Sequence, residues 1–165
     1  MSWVDVVAAL IIILVAFVES KRGFGRALFD IIGLVISLKL AIVLAGVLYK
    51  STPVGASENG SEAFWMAVLF IVFGVLTVLA SKVLYETTLL SLDVLDPTVG
   101  AILGIGSGLM VAHIFLRVLI LAYTGTPLEP LLTGTFAAQQ ILYLSGYSRV
   151  INSLHHLGEA GEYHP

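Results

Sequence analysis

Four long apolar stretches restrict the folds open to this 165-residue chain more than any other feature. They are Trp3–Val18, Ala27–Leu48, Ala63–Ala80 and Val99–Tyr123. A helix needs about 20 apolar residues to cross a hydrocarbon core of ~30 Å, and a backbone in lipid must satisfy its own hydrogen bonds. The composition agrees, with 58% hydrophobic and 12% charged residues, because soluble domains have about 25% charged residues. The sequence predicts an all-α membrane protein with four transmembrane helices.

The connections between the stretches predict how the helices pair. The segment Lys50–Glu62 is rich in Pro, Gly and Ser, so we expect a flexible connector between two helical hairpins. A cleaved signal peptide is the alternative for the first stretch, but no Lys or Arg precedes it and no small-x-small site follows it. We therefore expect a four-helix domain over residues 1–125 and a separate tail over 126–165.

The tail after the fourth stretch is more polar and contains two short amphipathic patterns, Phe136–Leu144 and Gly146–Leu157. Neither is long enough to span a membrane. Each is expected to lie at the membrane–water interface or to cap the bundle.

The distribution of Lys and Arg predicts the orientation of the helices. The loops 19–26 and 81–97 hold four cations, namely Lys21, Arg22, Arg26 and Lys82. The opposite side holds only Lys50 and Arg149. Because cytoplasmic loops carry the excess of Lys and Arg, both termini and the tail are predicted to lie outside.

Several functional classes find no support in the sequence. The formal charge is −3 and no basic run is interleaved with aromatic residues, so nucleic acid is not an expected partner. The chain has no cysteine, which excludes disulfides and thiolate metal sites. No catalytic triad, phosphate loop or paired catalytic carboxylate is recognisable. We expect a non-enzyme without cofactor or metal, surrounded by the lipid bilayer.

Two stripes of small residues at a spacing of four predict close helix packing. They are Gly33, Ser37, Ala41 and Ala45 in the second stretch, and Gly100, Gly104, Gly108 and Ala112 in the fourth. Small residues let backbones approach closely in lipid, where the hydrophobic effect does not drive association. We expect the two stripes to face each other, although Gly and Ala are also frequent in membrane helices generally. Asp96 followed by Pro97 is predicted to cap the fourth helix.

Four ionisable residues are predicted to form a polar cluster inside the bundle. Lys39 lies near the middle of its span, where a charge costs about 2.5–3.5 kcal/mol. Asp5 falls at a similar depth if the first two helices form a hairpin, and His113 and Arg117 lie one turn apart in the same half of the membrane. Alternatively, Asp5 caps its helix, Lys39 snorkels and Arg117 anchors at the headgroups. A proton or ion relay through His113 is the functional alternative.

Nearer the opposite face, Asp30 follows Arg26 by four residues. This spacing predicts an ion pair within the second helix.

Two motifs make the chain similar to a known family. They are Arg22-Gly23-Phe24-x-Arg26 and Asp96-x-x-x-Gly100-x-x-x-Gly104-x-x-x-Gly108, preceded by Trp3-Val4-Asp5. Residues 1–125 resemble the CvpA (colicin V production protein) family. The resemblance implies four transmembrane helices in a bacterial inner membrane and a role in colicin V production, toxin export or envelope physiology. The chain departs from the family at Ser107, where an Arg is frequent, and at Pro97.

Two functions follow as hypotheses. The first is a non-enzymatic scaffold or accessory that binds another membrane protein, or a second copy of itself, through glycine faces. The second is an oligomeric transporter or channel subunit that uses the cluster around Lys39 and His113. Few ionisable residues and long stripes of small residues favour the first.

Overall fold

The computed structural model describes residues 2–54, 57–88 and 96–142. Within these residues the chain is helical and contains no strand. The long helices are α1 (Trp3–Arg22), α2 (Phe24–Ser51), α3 (Glu58–Thr88) and α4 (Asp96–Ala122), followed by the short α5 (Glu129–Thr133) and a π-helical turn, Ala138–Leu142. All four long helices are long and apolar enough to cross a membrane. The predicted all-α membrane protein with four spanning helices is therefore confirmed.

Helix α1 reaches full spanning length because it continues through its charged end. It begins with a capping box, in which Ser2 accepts from Val4 N and Asp5 accepts from Ser2 N at 2.9 Å. It ends at Arg22, so its 20 residues extend for about 30 Å. The apolar part alone, ending at Val18, would have been too short.

A single residue, Gly23, separates α1 from α2. Its φ of 85° and ψ of 171° lie in a region that glycine adopts readily. Its N–H donates to Glu19 O at 3.0 Å, and its own carbonyl accepts from Ala27 N at 3.1 Å. The chain thus reverses without a loop, which fixes the ends of α1 and α2 beside each other.

The helices pair differently from the predicted hairpins. The most extensive contacts join α2 to α3 and α1 to α4, whereas α1 and α2 contact each other little. The segment expected to be a hinge is the turn of the α2–α3 pair. Ser61 Oγ donates to Val54 O and accepts from Val54 N, and Trp65 Nε1 donates to Thr52 O at 2.8 Å. These bonds tie the start of α3 to the end of α2.

The glycine stripe of α4 is buried against α1, which corrects the predicted contact with α2. A Cβ at Gly104 would lie 2.7 Å from Ala16 Cα, and one at Gly108 would lie 2.8 Å from Ile12 Cα. Ala112 continues the stripe and packs in one buried cluster with Ala8. The two backbones approach so closely that only glycine fits.

The small-residue stripe of α2 faces α3 and the shared core. Gly33 contacts Thr77, and the Ser37 and Thr77 hydroxyls are hydrogen-bonded at 2.9 Å. Ala41 and Ala45 lie in the core cluster formed by α2, α3 and α4. Gly33 is half-buried and the other residues of the two stripes are buried. Each stripe packs against an antiparallel neighbour rather than against the other stripe.

The described part of the tail packs on the open end of the α1–α4 pair. Leu132 and Ala137 join the buried cluster that contains Val4 and Leu116. Ala137 N donates to Asp5 Oδ1 at 2.8 Å, which links the tail to the start of α1. Of the two predicted amphipathic patterns, Phe136–Leu144 is described as far as Leu142, and Gly146–Leu157 lies outside the described residues.

Candidate functional site

The structure does not assemble the predicted cluster of Asp5, Lys39, His113 and Arg117. Both Asp5 carboxylate oxygens accept backbone hydrogen bonds, one from Ser2 N and the other from Ala137 N. Lys39 is exposed on the outer face of α2 and forms no ion pair within the described residues. The expected pair of Asp5 and Lys39 is corrected: their similar depth does not bring them together, because α1 and α2 have little contact beyond their shared turn.

His113 and Arg117 do share a small cavity on α4. The cavity measures about 220 Å³, and Ile120, Leu121 and Leu142 complete its wall. The imidazole Nδ1 lies 3.2 Å from Ile141 O, which holds His113 against the π-helical turn. The Arg117 Nε is buried and has no hydrogen-bond partner in the described part of the chain. These two side chains are thus adjacent, and Lys39 and Asp5 lie elsewhere.

A different polar network occupies the opposite end of the bundle, and we call it the Arg22 cluster. It consists of Glu19 and Arg22 from α1, Asp30 from α2 and Ser81 from α3. Arg22 Nη1 donates to Glu19 Oε1 and to Asp30 Oδ2, each at 3.0 Å. Ser81 Oγ donates to Asp30 Oδ1. The Arg22 cluster therefore joins three helices through buried charges.

This network corrects the expected pair of Arg26 and Asp30. The one-residue turn at Gly23 carries Arg22 over the first turn of α2, where it reaches Asp30 instead. Arg26 Nε is buried without a hydrogen-bond partner among the described residues. An intrahelical spacing of four permits a pair, but the reversal of the chain brings a competing cation closer.

Glu19 and Ser81 belong to the Arg22 cluster although neither was predicted as a site residue. A signal for Glu19 was present, because it precedes Arg22 by three residues on one helix face. No sequence signal pointed to Ser81, which lies 51 residues from Asp30 and is nearly fully buried.

The two motifs that carry the family resemblance meet beside the Arg22 cluster. Asp96 Oδ1 accepts from Phe24 N at 3.1 Å, so the first residue of α4 caps the start of α2. The Asp96 carboxylate lies directly over Gly23, where any side chain would collide with it. A Cβ at Gly100 would lie 2.7 Å from Glu19 O and 3.1 Å from the Gly23 carbonyl carbon. Asp96, Gly23 and Gly100 therefore pack the end of α1 and the starts of α2 and α4 against one another.

One carboxylate oxygen of the Arg22 cluster, Glu19 Oε2, accepts no hydrogen bond from the described residues. Two buried carboxylates share one guanidinium nitrogen, and Asp30 has both oxygens bonded. Glu19 is only 4% exposed, yet its Oε2 has no hydrogen-bond partner within the described ranges. Buried charges are stable only when paired and hydrogen-bonded. The arrangement can hold three helices together and can accept one more hydrogen bond.

A lateral groove runs from the core to this cluster, and we call it the α1–α3 groove. Its volume is about 520 Å³. Leu14, Val15 and Val18 of α1 form one wall, residues 70–79 of α3 form the other, and Leu34 and Val111 lie at its base. Glu19 and Arg22 line it as well and, among the described residues, are its only charged ones. The described part of the chain therefore presents an apolar groove with a charged end.

The described residues contain no group of three His, Asp or Glu side chains that could hold a metal ion. Comparison of the chain with protein-family models, curated proteins and solved structures finds no match. The four apolar helices identify a multi-pass membrane protein.

Proposed function

We propose that the protein is a non-enzymatic membrane scaffold or accessory that binds another membrane protein through the outer face of α2. The observation that carries this proposal is the position of Lys39. It lies 15 residues from Phe24 and 12 residues from Ser51, the two ends of α2. These separations correspond to about 22 Å and about 18 Å along the helix axis, so Lys39 is near the middle of the span.

A lysine at this depth needs a partner. Snorkelling brings a charge to the interface when the lysine is near a helix end. Lys39 is instead surrounded by exposed apolar side chains of α2, including Ile36, Leu40 and Val43. A charge at the bilayer centre costs about 2.5–3.5 kcal/mol. A neighbouring helix with a carboxylate or another acceptor at that depth offsets the cost.

The partner helix is expected to come from a different protein. The membrane-embedded carboxylates of the described chain already have partners, since Asp5 binds two backbone N–H groups and Asp30 binds Arg22 and Ser81. Glu19 lies in the α1–α3 groove, away from Lys39. The proposed partner therefore supplies its own acidic or polar residue in the membrane. The glycine faces, which the sequence assigned to this contact, are used inside the bundle.

The cellular setting of the proposal comes from the sequence. The excess of Lys and Arg in the loops 19–26 and 81–97 favours both termini outside the membrane. Similarity to the CvpA family adds a bacterial inner membrane and a role in toxin production, toxin export or envelope physiology. In this orientation the Arg22 cluster lies at the cytoplasmic end and the tail is exported.

Photo-crosslinking tests the contact. A photoreactive residue at Ile36 or Val43, on either side of Lys39, should capture one discrete membrane protein in cells. The same residue at Ile102, which is 62% exposed on α4, serves as the control and should capture lipid. Capture at Ile36 should disappear with Lys39→Leu. Equal capture from α2 and α4, or capture that Lys39→Leu leaves unchanged, would contradict the proposal.

One observation favours a second candidate, a small transporter or channel subunit. Ionisable residues inside a bundle frequently mark ion or proton pathways, and the Arg22 cluster contains three of them. The test is proton or ion flux into vesicles that contain the purified protein. If the protein is a scaffold, the flux should not exceed that of protein-free vesicles. A flux that Asp30→Asn abolishes would replace it with transport.

A further inference from the structure

The α1–α3 groove is separate from the proposed protein contact on α2 and has the features of a ligand site. Its volume of about 520 Å³ is within the range of about 300–1,000 Å³ typical of small-molecule sites. It extends from Leu14 to Arg22 along α1, a distance of about 12 Å for eight residues. Its walls are apolar except at the end formed by Glu19 and Arg22. The shape is suited to an extended hydrocarbon chain.

One acceptor at the charged end of the groove has no hydrogen-bond partner among the described residues. Glu19 lines this end, and its Oε1 accepts from Arg22 while its Oε2 has no partner among the described residues. Arg22 Nη1 already serves two carboxylates and Ser81 Oγ bonds Asp30, so neither of these two donors serves Glu19 Oε2. A buried acceptor without a donor is unfavourable. An occupant with an N–H group at this end would satisfy it.

The same end also offers a cation. Arg22 lines the groove with a side chain that is 28% exposed, and both of its ion pairs use Nη1 alone. A guanidinium with further free donors binds phosphate well. Glu19 lies one turn from the end of α1, and because a 20-residue helix matches the hydrocarbon thickness of ~30 Å, we expect this end to lie near the headgroups. An adjacent anion and cation at this depth complement a headgroup that contains both charges.

We propose that the α1–α3 groove binds a phospholipid with a primary ammonium headgroup. Its acyl chain lies along the apolar walls, its phosphate contacts Arg22, and its ammonium donates to Glu19. Phosphatidylethanolamine has this chemistry. Phosphatidylcholine has the same phosphate and chains, but its trimethylammonium group has no N–H to donate.

Native mass spectrometry of the full chain tests this site. The purified protein is mixed with equal amounts of phosphatidylethanolamine and phosphatidylcholine that carry the same acyl chains. One phosphatidylethanolamine should bind per chain, with a preference of about tenfold, as expected for one hydrogen bond to a charged group. Glu19→Gln should reduce this preference to near unity while the chain remains folded.

A pair of glycine variants tests the location. Gly74 lines the groove, and no heavy atom of the described residues lies within 4 Å of where its Cβ would be. Gly74→Trp should therefore place an indole in the groove and abolish the bound lipid. Gly46 has equally open surroundings but lies outside the groove, so Gly46→Trp should bind lipid like the unmodified chain.

Three outcomes would overturn the proposal. Equal binding of the two lipids would remove the role of the ammonium. Lipid retained by a folded Gly74→Trp chain would place the lipid elsewhere. If the unmodified chain binds no lipid and forms a dimer that Gly74→Trp disrupts, the groove binds a second copy of the chain. If Gly74→Trp does not fold, the lipid preference of Glu19→Gln decides alone.

Discussion

Two groups of ionisable side chains lie at different places in this bundle, and only one of them is a connected network. The Arg22 cluster links α1, α2 and α3 through one guanidinium and two carboxylates. Asp5, Lys39, His113 and Arg117, expected from their depth to form the second network, are distributed among a helix cap, an exposed face and a small cavity. The Arg22 cluster lies at a tight turn between two helices, whereas the members of the other group lie far from that turn.

Chain connectivity accounts for the difference. At the Gly23 turn, α1 ends and α2 begins after one residue, so Arg22 must lie close to the first turns of α2. Asp96 and Gly100, at the start of α4, pack directly against this turn. Farther from the turn, α1 packs on α4 and α2 packs on α3. Depth along the membrane therefore predicts contact only close to a tight turn, because it leaves the direction of a side chain undetermined.

The largest effect is expected from Arg22→Leu. This change leaves Glu19 and Asp30 as buried carboxylates without their cation, and breaking a buried pair costs about 3–5 kcal/mol. Since Arg22 is 28% exposed, we expect a loss near the lower limit, about 3 kcal/mol of unfolding free energy. Denaturant unfolding in detergent micelles, followed by circular dichroism, measures this loss.

The control for Arg22→Leu is Lys82→Leu. Lys82 and Glu86 form an exposed pair at 3.9 Å, and exposed pairs contribute about 0–1 kcal/mol. Equal losses for the two variants would mean that the Arg22 cluster contributes no more than a surface pair. Addition of Asp30→Asn to Arg22→Leu should recover part of the loss, since one stranded charge is removed.

The sequence predicted the helices better than their partners. Apolar length predicted the four spanning helices, and the small residues at a spacing of four pack closely against neighbouring helices. Which helix each stripe faces depends on packing that is not encoded by periodicity, so Gly104 was assigned to α2 although it contacts Ala16 of α1. Of the Arg22 cluster, the pair of Glu19 and Arg22 was accessible from local spacing, whereas Ser81 was not.

A smaller effect is expected from Gly104→Leu, which tests whether α4 faces α1 as described. Its side chain would meet the Ala16 backbone, which cannot yield without separating two helices. Overpacking of this kind costs about 1–3 kcal/mol, and we expect about 2 kcal/mol in the same unfolding measurement.

Two glycines provide graded controls for this contact. Gly106 faces the flexible end of Ile31 on α2, and Gly46 faces open space. Gly106→Leu should cost less than Gly104→Leu, and Gly46→Leu should have almost no effect. A greater loss for Gly106→Leu would indicate that α4 makes its closest approach to α2, as the paired stripes of the sequence predicted.

The smallest expected effect is the energetic coupling between Asp5 and Lys39. Its size distinguishes an ion pair between the two residues from two side chains that lie apart. If the residues formed an ion pair, each single change would strand a charge, and the double variant would recover stability. In the structure Asp5 binds Ser2 N and Ala137 N, and Lys39 lies on the outer face of α2. Asp5→Asn should therefore lose about 1 kcal/mol through the weakened capping box with Ser2, while Lys39→Leu should not destabilise the isolated chain. The losses of distant residues add within about 0.5 kcal/mol, so the double variant should equal the sum of the singles. Recovery by more than this margin in a double-mutant cycle would show that the two charges meet in the membrane after all.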